Sequence, residues 1–134
     1  MYLVHTVWHT IRLLAQFLVE LMLNDNSFSG TLPTDLMSSR HLTVLQVQRN
    51  ILEGSISFTS DLKLLTTVDI SDNRFSGTLP ASVFTPPNLE VFAATTNCFT
   101  GALPETICNA TRLETLVLDG LQVLPRRIPN RNLI

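Results

Sequence analysis

The sequence predicts a β-dominated α/β solenoid, a right-handed coil of about five rungs. The first observation is a fixed interval: one nine-residue phrase recurs four times, and each copy ends in an asparagine, Asn26, Asn50, Asn73 or Asn97. These asparagines are 24, 23 and 24 residues apart, and a period in this range is typical of stacked coils. The second observation is the alternation of leucines inside the phrase, which has the period of a strand with one buried face. Because no coil can bury its apolar face alone, the core forms by stacking.

The phrase divides the chain into five units. They span residues 18–41, 42–64, 65–88, 89–112 and, as a partial copy, 113–121. In the partial unit Leu121 stands where the asparagine belongs, so we expect the array to stop there. Residues 1–17 are expected to form an irregular cover over one end of the core, and residues 122–134 a C-terminal tail.

Each position of the repeat has a physical task. The alternating leucines form a short strand, and parallel stacking pairs these strands into one sheet on the concave side. The asparagine suits the bend after the strand, because its amide offers two donors and an acceptor to backbone groups between coils. Glycine permits an unusual turn and proline sets the return path, which runs through turns and 3₁₀ segments on the convex side. The position after the bend is expected to stack into an apolar column of Phe28, Leu52, Phe75 and Phe99.

The full repeat reads Leu-x-x-Leu-x-Leu-x-x-Asn-x-Phe-Ser-Gly-x-Leu-Pro, most completely in residues 18–33 and 65–80. It resembles the plant-type leucine-rich repeat over about residues 18–121. The resemblance implies a leucine-rich-repeat solenoid similar to the ectodomains of receptor-like kinases and receptor-like proteins. It further implies a non-enzymatic module that recognises a protein or peptide on its concave face, in an extracellular or cell-surface protein.

The sequence departs from this family at both ends. Family ectodomains open with a signal peptide and a pair of capping cysteines, and residues 1–16 contain neither feature. They close with a second cysteine pair, which residues 122–134 lack. Two alternatives therefore stay open. One is an intracellular leucine-rich-repeat adaptor or a truncated gene fragment, and the other is the remnant of a receptor-kinase ectodomain whose kinase domain is absent from this chain.

Acidic side chains gather at the positions between the leucines, which are expected to point outward from the concave sheet. Seven of the eleven acidic residues lie on or beside this face, against one of the nine basic residues. An uneven charge of this kind suits a cationic peptide or protein, through steering and complementarity. The alternative is a solvated surface that prevents aggregation. The predicted binding residues are Glu20, Asp25, Arg49, Asp69, Asp72, Glu90, Glu114 and Asp119.

Three smaller features carry weaker interpretations. Asn109 begins a glycosylation sequon and is expected to carry a glycan if the protein is extracellular. Cys98 and Cys108 are expected to be structural free thiols, because cysteine packs well when buried. His5 and His9 have the spacing of two ligands on one helix face, but no third ligand is near them and no metal site is predicted.

Composition and motifs exclude several other classes. A net charge of −2 is too small to imply attraction to nucleic acid. The uncharged stretch at residues 13–19 is much shorter than the roughly 20 residues that a membrane helix needs, so no direct membrane insertion by this chain is expected. No nucleophile elbow, phosphate-binding glycine loop or His-Glu-x-x-His motif occurs. The sequence therefore predicts no catalytic residue, cofactor or metal.

Overall fold

The computed structural model describes residues 2–121, with side chains from residue 6 onward, and it confirms the predicted solenoid. Within these residues, nine short strands follow one another. In order they are β1 (Glu20–Met22), β2 (Ser29–Gly30), β3 (Val44–Gln46), β4 (Ile51–Gly54), β5 (Thr67–Asp69), β6 (Arg74–Thr78), β7 (Val91–Ala93), β8 (Cys98–Thr100) and β9 (Thr115–Val117).

The strands form two parallel sheets, because each coil contributes equivalent strands that pair with those of the next coil. The concave sheet has the order β1-β3-β5-β7-β9. At roughly 4.8 Å between neighbouring strands it is about 20 Å wide. A second sheet, β2-β4-β6-β8, follows the bend after each concave strand. The convex side carries 3₁₀ segments at Leu36–Ser38, Ala81–Phe84 and Glu105–Asn109.

The second coil differs from its neighbours on the convex side. Residues 55–64 contain turns but no 3₁₀ segment. In this coil Ser57 replaces the proline that precedes the 3₁₀ segments at Pro80 and Pro104. The missing proline leaves the return path without a fixed φ at that point.

The core is a stack of equivalent apolar side chains, one from each coil. The central residues of the concave strands are in register and all buried, and they are Leu21, Leu45, Val68, Phe92 and Leu116. Burying an aliphatic side chain of this size contributes about 1.5–3 kcal/mol. The column predicted beneath the second sheet also forms. Leu52, Phe75 and Phe99 are buried, and the Phe75 and Phe99 rings stack with centroids 6.4 Å apart.

The N-terminal segment, predicted as an irregular cover, is a regular helix, α1 (Tyr2–Leu14), followed by a 3₁₀ turn at Ala15–Phe17. Ile11 and Ala15 are buried against the first coils. The Trp8 ring packs on Phe28 at a centroid distance of 5.7 Å, and its Nε1–H donates to the Ser29 carbonyl oxygen at 3.0 Å. The helix therefore covers the exposed end of the apolar column and satisfies a backbone acceptor of the first coil.

Residues 122–134, predicted as a C-terminal tail, lie outside the described residues. No helix in the described part of the chain is both long enough and apolar enough to span a bilayer.

Candidate functional site

The corner after each concave strand determines which side chains reach the open surface. In the third coil, Asn73 Nδ2 donates to the carbonyl oxygen of Val47 in the preceding coil at 2.9 Å, and Asn73 Oδ1 accepts the Leu52 N–H at 2.9 Å. Asn73 Nδ2 also lies 3.1 Å from the Ser71 carbonyl oxygen of its own bend. One amide thus satisfies both an N–H and a carbonyl of the preceding coil.

The same bonds recur one coil before and one coil after. Asn50 links to Leu23 and Phe28, and Asn97 links to Ile70 and Phe75, with donor–acceptor distances of 2.9–3.0 Å. Asn26 is different, because it is exposed and, among the described residues, its side chain donates only within its own bend, to the carbonyl oxygens of residues 23 and 24.

The residue before each of the four asparagines has a backbone conformation in the left-handed region, although none of these four residues is glycine. The φ angles are 59° at Asp25, 56° at Arg49, 53° at Asp72 and 53° at Thr96. Such a conformation costs roughly 1–2 kcal/mol for a residue with a Cβ, so the ladder of hydrogen bonds must hold it. It places these four residues as a column along one border of the concave sheet.

Two rows of side chains point away from the core on the concave sheet itself. The first row consists of Glu20, Val44, Thr67, Val91 and Thr115. The second row consists of Met22, Gln46, Asp69, Ala93 and Val117. Only two of these ten residues are acidic, and half are apolar. The centre of the surface is therefore a mixed apolar and hydroxyl-bearing strip.

The carboxylates predicted for this face occupy three different places. Glu20 and Asp69 lie in the two rows. Glu90 and Glu114 come just before β7 and β9, and Asp25, Asp72 and Asp119 follow the strands. The arrangement is thus an apolar strip with acidic borders rather than one acidic cluster. The apolar strip was not predicted, because only charged side chains at the outward positions were taken as binding residues, although Met22 is 59% exposed and Val117 39% exposed.

Arg49, the single basic residue predicted on this face, is paired with a neighbour. Its Nε lies 2.5 Å from Asp25 Oδ1 and its Nη2 lies 3.2 Å from Asp25 Oδ2, a two-point contact between adjacent coils. The pKa of Asp25 lies below its ordinary value, first because Asn24 Nδ2 donates to Oδ2 at 2.7 Å and then because of Arg49. Both charges of this pair are therefore largely committed to each other.

Two further carboxylates are oriented by backbone amides. Asp69 Oδ1 accepts the Ser71 N–H at 3.0 Å. Both oxygens of Asp119 accept the Thr96 N–H, at 3.0 and 2.8 Å, so the fifth coil is tied to the left-handed corner of the fourth. Each of these carboxylates keeps acceptor sites available, because an ionised carboxylate offers about four lone-pair directions.

The smaller predicted features lie away from the concave strip. Cys98 and Cys108 are free thiols as expected, but both are exposed, so the burial expected for them is wrong. Asn109 is exposed at the end of a convex 3₁₀ segment. His9 is exposed, and the side chain of His5 lies outside the described part of the chain. Among the described side chains, no group of three or more potential metal ligands comes together.

Comparison with known proteins agrees with this architecture. A family model described as Leucine Rich Repeat matches residues 17–39 and 64–85. A comparison with curated protein sequences finds no match.

Several solved structures of plant receptor ectodomains resemble the chain. The LRR ectodomain of the membrane receptor kinase GASSHO1/SCHENGEN3 from Arabidopsis thaliana, in complex with CASPARIAN STRIP INTEGRITY FACTOR 2, is 32% identical over 84% of this chain and 14% of its own, with a TM-score of 0.77. The plant peptide hormone receptor RGFR1 in complex with RGF2 is 30% identical over 81% of this chain and 18% of its own, with a TM-score of 0.76. The BIR3–SERK2 complex from Arabidopsis thaliana is 30% identical over 77% of this chain and 56% of the matched chain, with a TM-score of 0.71. The chain spans from about a seventh to little more than half of these relatives.

Proposed function

Because this chain is a leucine-rich-repeat protein of the plant type, we propose that it is a non-enzymatic recognition module that binds an extended peptide or protein segment across its concave sheet. The observation that carries the proposal is the pair of outward rows on five parallel strands, bordered by carboxylates. The peptide–receptor complexes formed by similar structures support a ligand of this class. We further propose that the module belongs to a receptor-like or secreted protein at the cell surface.

The geometry of the strip indicates the length and the side-chain types of the ligand. A surface about 20 Å wide matches roughly six extended residues at 3.3 Å each. Val44, Val91 and Val117 favour small apolar side chains on the ligand, and the carboxylate borders favour lysine or arginine. We therefore propose a cationic ligand whose basic side chains alternate with small apolar or hydroxyl-bearing ones.

The mechanism is presentation by a rigid scaffold. The corners are held by asparagine bonds to two backbone groups of the neighbouring coil, so few protein groups need to become ordered when a ligand binds. Charges on the borders steer a cationic ligand toward the strip, and the apolar strip supplies burial once it arrives. Specificity then depends on the match between the ligand and the residues of successive coils.

A binding experiment with defined probes tests the charge argument. The probes are two ten-residue peptides, one with alternating lysine and threonine and one with alternating glutamate and threonine. We expect the lysine peptide to bind, with an affinity that weakens as salt rises, and the glutamate peptide not to bind. Two variants of the concave side, Asp69→Asn in the second outward row and Asp72→Asn at the border, are each expected to weaken binding about threefold, since an exposed ion pair contributes about 0.2–1 kcal/mol.

Glu53→Gln is the matched control for these variants. It removes the same charge from β4 of the second sheet, on an exposed residue away from the concave rows. We expect it to leave the affinity for the lysine peptide unchanged at moderate salt. If the affinity for the lysine peptide did not change with salt, or if Glu53→Gln lowered it as much as Asp69→Asn and Asp72→Asn do, the acidic borders would not recognise the ligand.

We propose Asn109 as a glycan acceptor in the same cell-surface setting. Its exposure, and the exposure of Thr111 in the same sequon, support access to this site. Expression behind a secretion signal in a eukaryotic cell, followed by glycosidase treatment, tests it. We expect a loss of glycan mass from the wild-type chain and none from Asn109→Gln; an unmodified secreted wild-type chain would exclude the proposal.

A further inference from the structure

One buried polar atom on the concave side of the solenoid has no hydrogen-bond partner. The Oε1 oxygen of Gln48 is buried, yet no described residue donates a hydrogen bond to it. Among the described side chains that are not exposed, it is the only buried nitrogen or oxygen atom in this state. A buried acceptor without a donor is rare and costly in native proteins, so this oxygen favours a ligand that brings a donor.

Gln48 follows the concave strand of the second coil and lies beside the third coil. The register of β3 and β5 places Gln46 opposite Asp69. Gln48 comes two residues later on the same outward face and therefore lies opposite Ser71. The main chain supports this position, because the Arg49 N–H donates to the Ser71 carbonyl oxygen at 3.0 Å. Gln48 thus continues the outward side of the concave sheet to the border at the carboxyl ends of the strands.

Two carboxylates of the third coil lie next to this position. Asp69 Oδ1 accepts the Ser71 N–H at 3.0 Å, which orients the carboxylate at the end of β5 and leaves its Oδ2 without a partner among the described residues. Asp72 is exposed at the corner that follows, and no described cation forms an ion pair with it. Both carboxylates come from the same end of the same strand, on the coil adjacent to Gln48.

The placement of these acceptors distinguishes the two basic side chains that a cationic ligand can carry. A guanidinium presents its donors in a planar fork and pairs best with both oxygens of one carboxylate. Arg49 makes this kind of contact with Asp25. An ammonium group is compact and has three diverging donors, so it bonds well to separate acceptors. Gln48, Asp69 and Asp72 offer acceptors on three side chains of two adjacent coils, which suits an ammonium group.

We propose that Gln48, Asp69 and Asp72 form a subsite for a primary ammonium group, which selects lysine over arginine at one position of the ligand. Gln48 Oε1 reaches the ligand by rotation of the carboxamide about its last torsion, which is soft in glutamine and moves no main chain. The lysine then supplies the donor that the fold lacks, and the carboxylates attract its charge. This inference rests on the proposed function, because it names one side chain of the ligand bound on the same surface.

Two peptides of equal charge test the selectivity of this subsite. The first is the peptide with alternating lysine and threonine, and the second replaces every lysine with arginine. We expect the wild-type protein to bind the lysine peptide about tenfold more tightly, close to the lower limit for a hydrogen bond to a charged group. Gln48→Met is nearly isosteric and has no carboxamide oxygen, so it should bring this ratio of affinities close to one. Isothermal titration calorimetry measures both affinities for each protein.

Gln46→Met is the matched control for this variant. Gln46 lies on the same coil and is half-buried, but it has no buried oxygen without a partner. We expect Gln46→Met to leave the ratio of the two affinities unchanged. Gln48→Glu keeps an acceptor oxygen at the proposed position and should retain the preference for lysine. A ratio close to one in the wild type, or an equal loss of the ratio in Gln46→Met, would overturn the proposal.

Chemical denaturation separates a role in binding from a role in folding. Because Gln48 Oε1 has no partner among the described residues, Gln48→Met removes no hydrogen bond of this oxygen inside the protein. We therefore expect a denaturation midpoint no lower than that of the wild type. A clearly lower midpoint would show that the carboxamide is bonded within the fold, which contradicts the proposal.

A single blocked amino acid tests the subsite without the rest of the ligand. The probes are N-acetyl-lysine methylamide and its arginine counterpart, at concentrations on the order of millimolar, as suits one weak contact. We expect the side-chain amide resonances of Gln48 to shift in nuclear magnetic resonance spectra with the lysine probe and not with the arginine probe. If they shift but neither peptide binds, the subsite stands and the proposed extended ligand fails. If both peptides bind equally and the resonances do not shift, the proposed function stands and the subsite fails.

Discussion

Asn73 Nδ2 and the carbonyl oxygen of Val47 lie 2.9 Å apart and join the third coil to the second. The same side chain accepts the Leu52 N–H, so a single residue bonds two backbone groups of a neighbouring coil in a region from which water is excluded. Bonds of this kind matter most through the cost of leaving their buried partners unsatisfied.

We expect Asn73→Ala to lower the free energy of unfolding by about 1–3 kcal/mol, because it leaves the buried Leu52 N–H without its acceptor and removes one of the two side-chain donors to the Val47 carbonyl oxygen. Asn26→Ala is the matched control, since Asn26 is exposed and, among the described residues, its side chain bonds only within its own bend. Its loss should be clearly smaller. Chemical denaturation of both variants measures the difference, and equal losses at the two sites would contradict a role for bonds between coils.

The glycines of the second sheet allow a test of close packing between coils. Gly54 and Gly77 have φ angles of 88° and 83°, so alanine at either position is strained by about 1–2 kcal/mol. A Cβ at Gly54 would also lie 2.9 Å from Thr31 Cγ2, whereas a Cβ at Gly77 meets nothing within 4 Å. We expect Gly54→Ala to destabilise the protein by about 1 kcal/mol more than Gly77→Ala.

Thr31→Ser supplies the control for that difference, because it removes the methyl group that the new Cβ would touch. In a Thr31→Ser background, the two glycine substitutions should cost about the same in thermal or chemical denaturation. A difference that persists in this background would have to come from something other than the methyl contact.

Trp8 connects α1 to the first coil, because its ring packs on Phe28 and its Nε1–H donates to the Ser29 carbonyl oxygen. Trp8→Phe keeps an aromatic ring against Phe28 and removes the bond to Ser29, so we expect a loss of about 1 kcal/mol. Trp8→Ala removes both and should cost more, with increased amide exchange in residues 2–17. Hydrogen exchange measured alongside denaturation checks this, and unchanged protection of α1 in Trp8→Ala would mean that the helix is held by other contacts.

The depressed pKa of Asp25 predicts a stability contribution that depends on pH. A carboxyl group whose pKa is lower in the folded state stabilises the fold above its unfolded pKa, about 3.9, and this contribution is lost as the pH falls through the folded value. Because the Asn24 amide and the Arg49 guanidinium both lower this pKa, Asn24→Ala and Arg49→Gln should each raise the pKa of Asp25 toward its ordinary value. Carboxyl-carbon nuclear magnetic resonance titration measures both shifts, and an unchanged pKa in either variant would contradict the role of the group that it removes.

The fold was predictable from the sequence because its determinants are local and repeated. The spacing of Asn50, Asn73 and Asn97 predicted a stack of coils, and their side chains bond backbone groups that every coil presents. The regular α1 helix was not predicted, since the apolar residues of that segment have no repeat partners and their helix depends on packing against the first coil.

The candidate site was only partly predictable. The sequence places Arg49 between Asp25 and Asp72 on adjacent corners, but it does not indicate which carboxylate pairs with it, and the structure pairs it with Asp25. The choice of partner depends on side-chain geometry across coils, which periodicity does not contain. The exposure of Cys98, by contrast, was predictable, because Cys98 precedes Phe99 of the predicted apolar column and adjacent strand residues face opposite sides.

The hydrogen bonds of the asparagine side chains have a consequence for the evolution of such an array. Asn50, Asn73 and Asn97 each bond main-chain atoms of the preceding coil, so their partners are the same whatever side chains that coil carries. A coil can therefore be duplicated, lost or exchanged without a compensating substitution at the joint. By contrast, the methyl group of Thr31 lies where a Cβ at Gly54 would need space, and Thr78 lies in the same way against Gly101. This packing requires particular residues in neighbouring coils. We expect inserted or deleted units to preserve that threonine–glycine order while the residues of the open surface diverge freely.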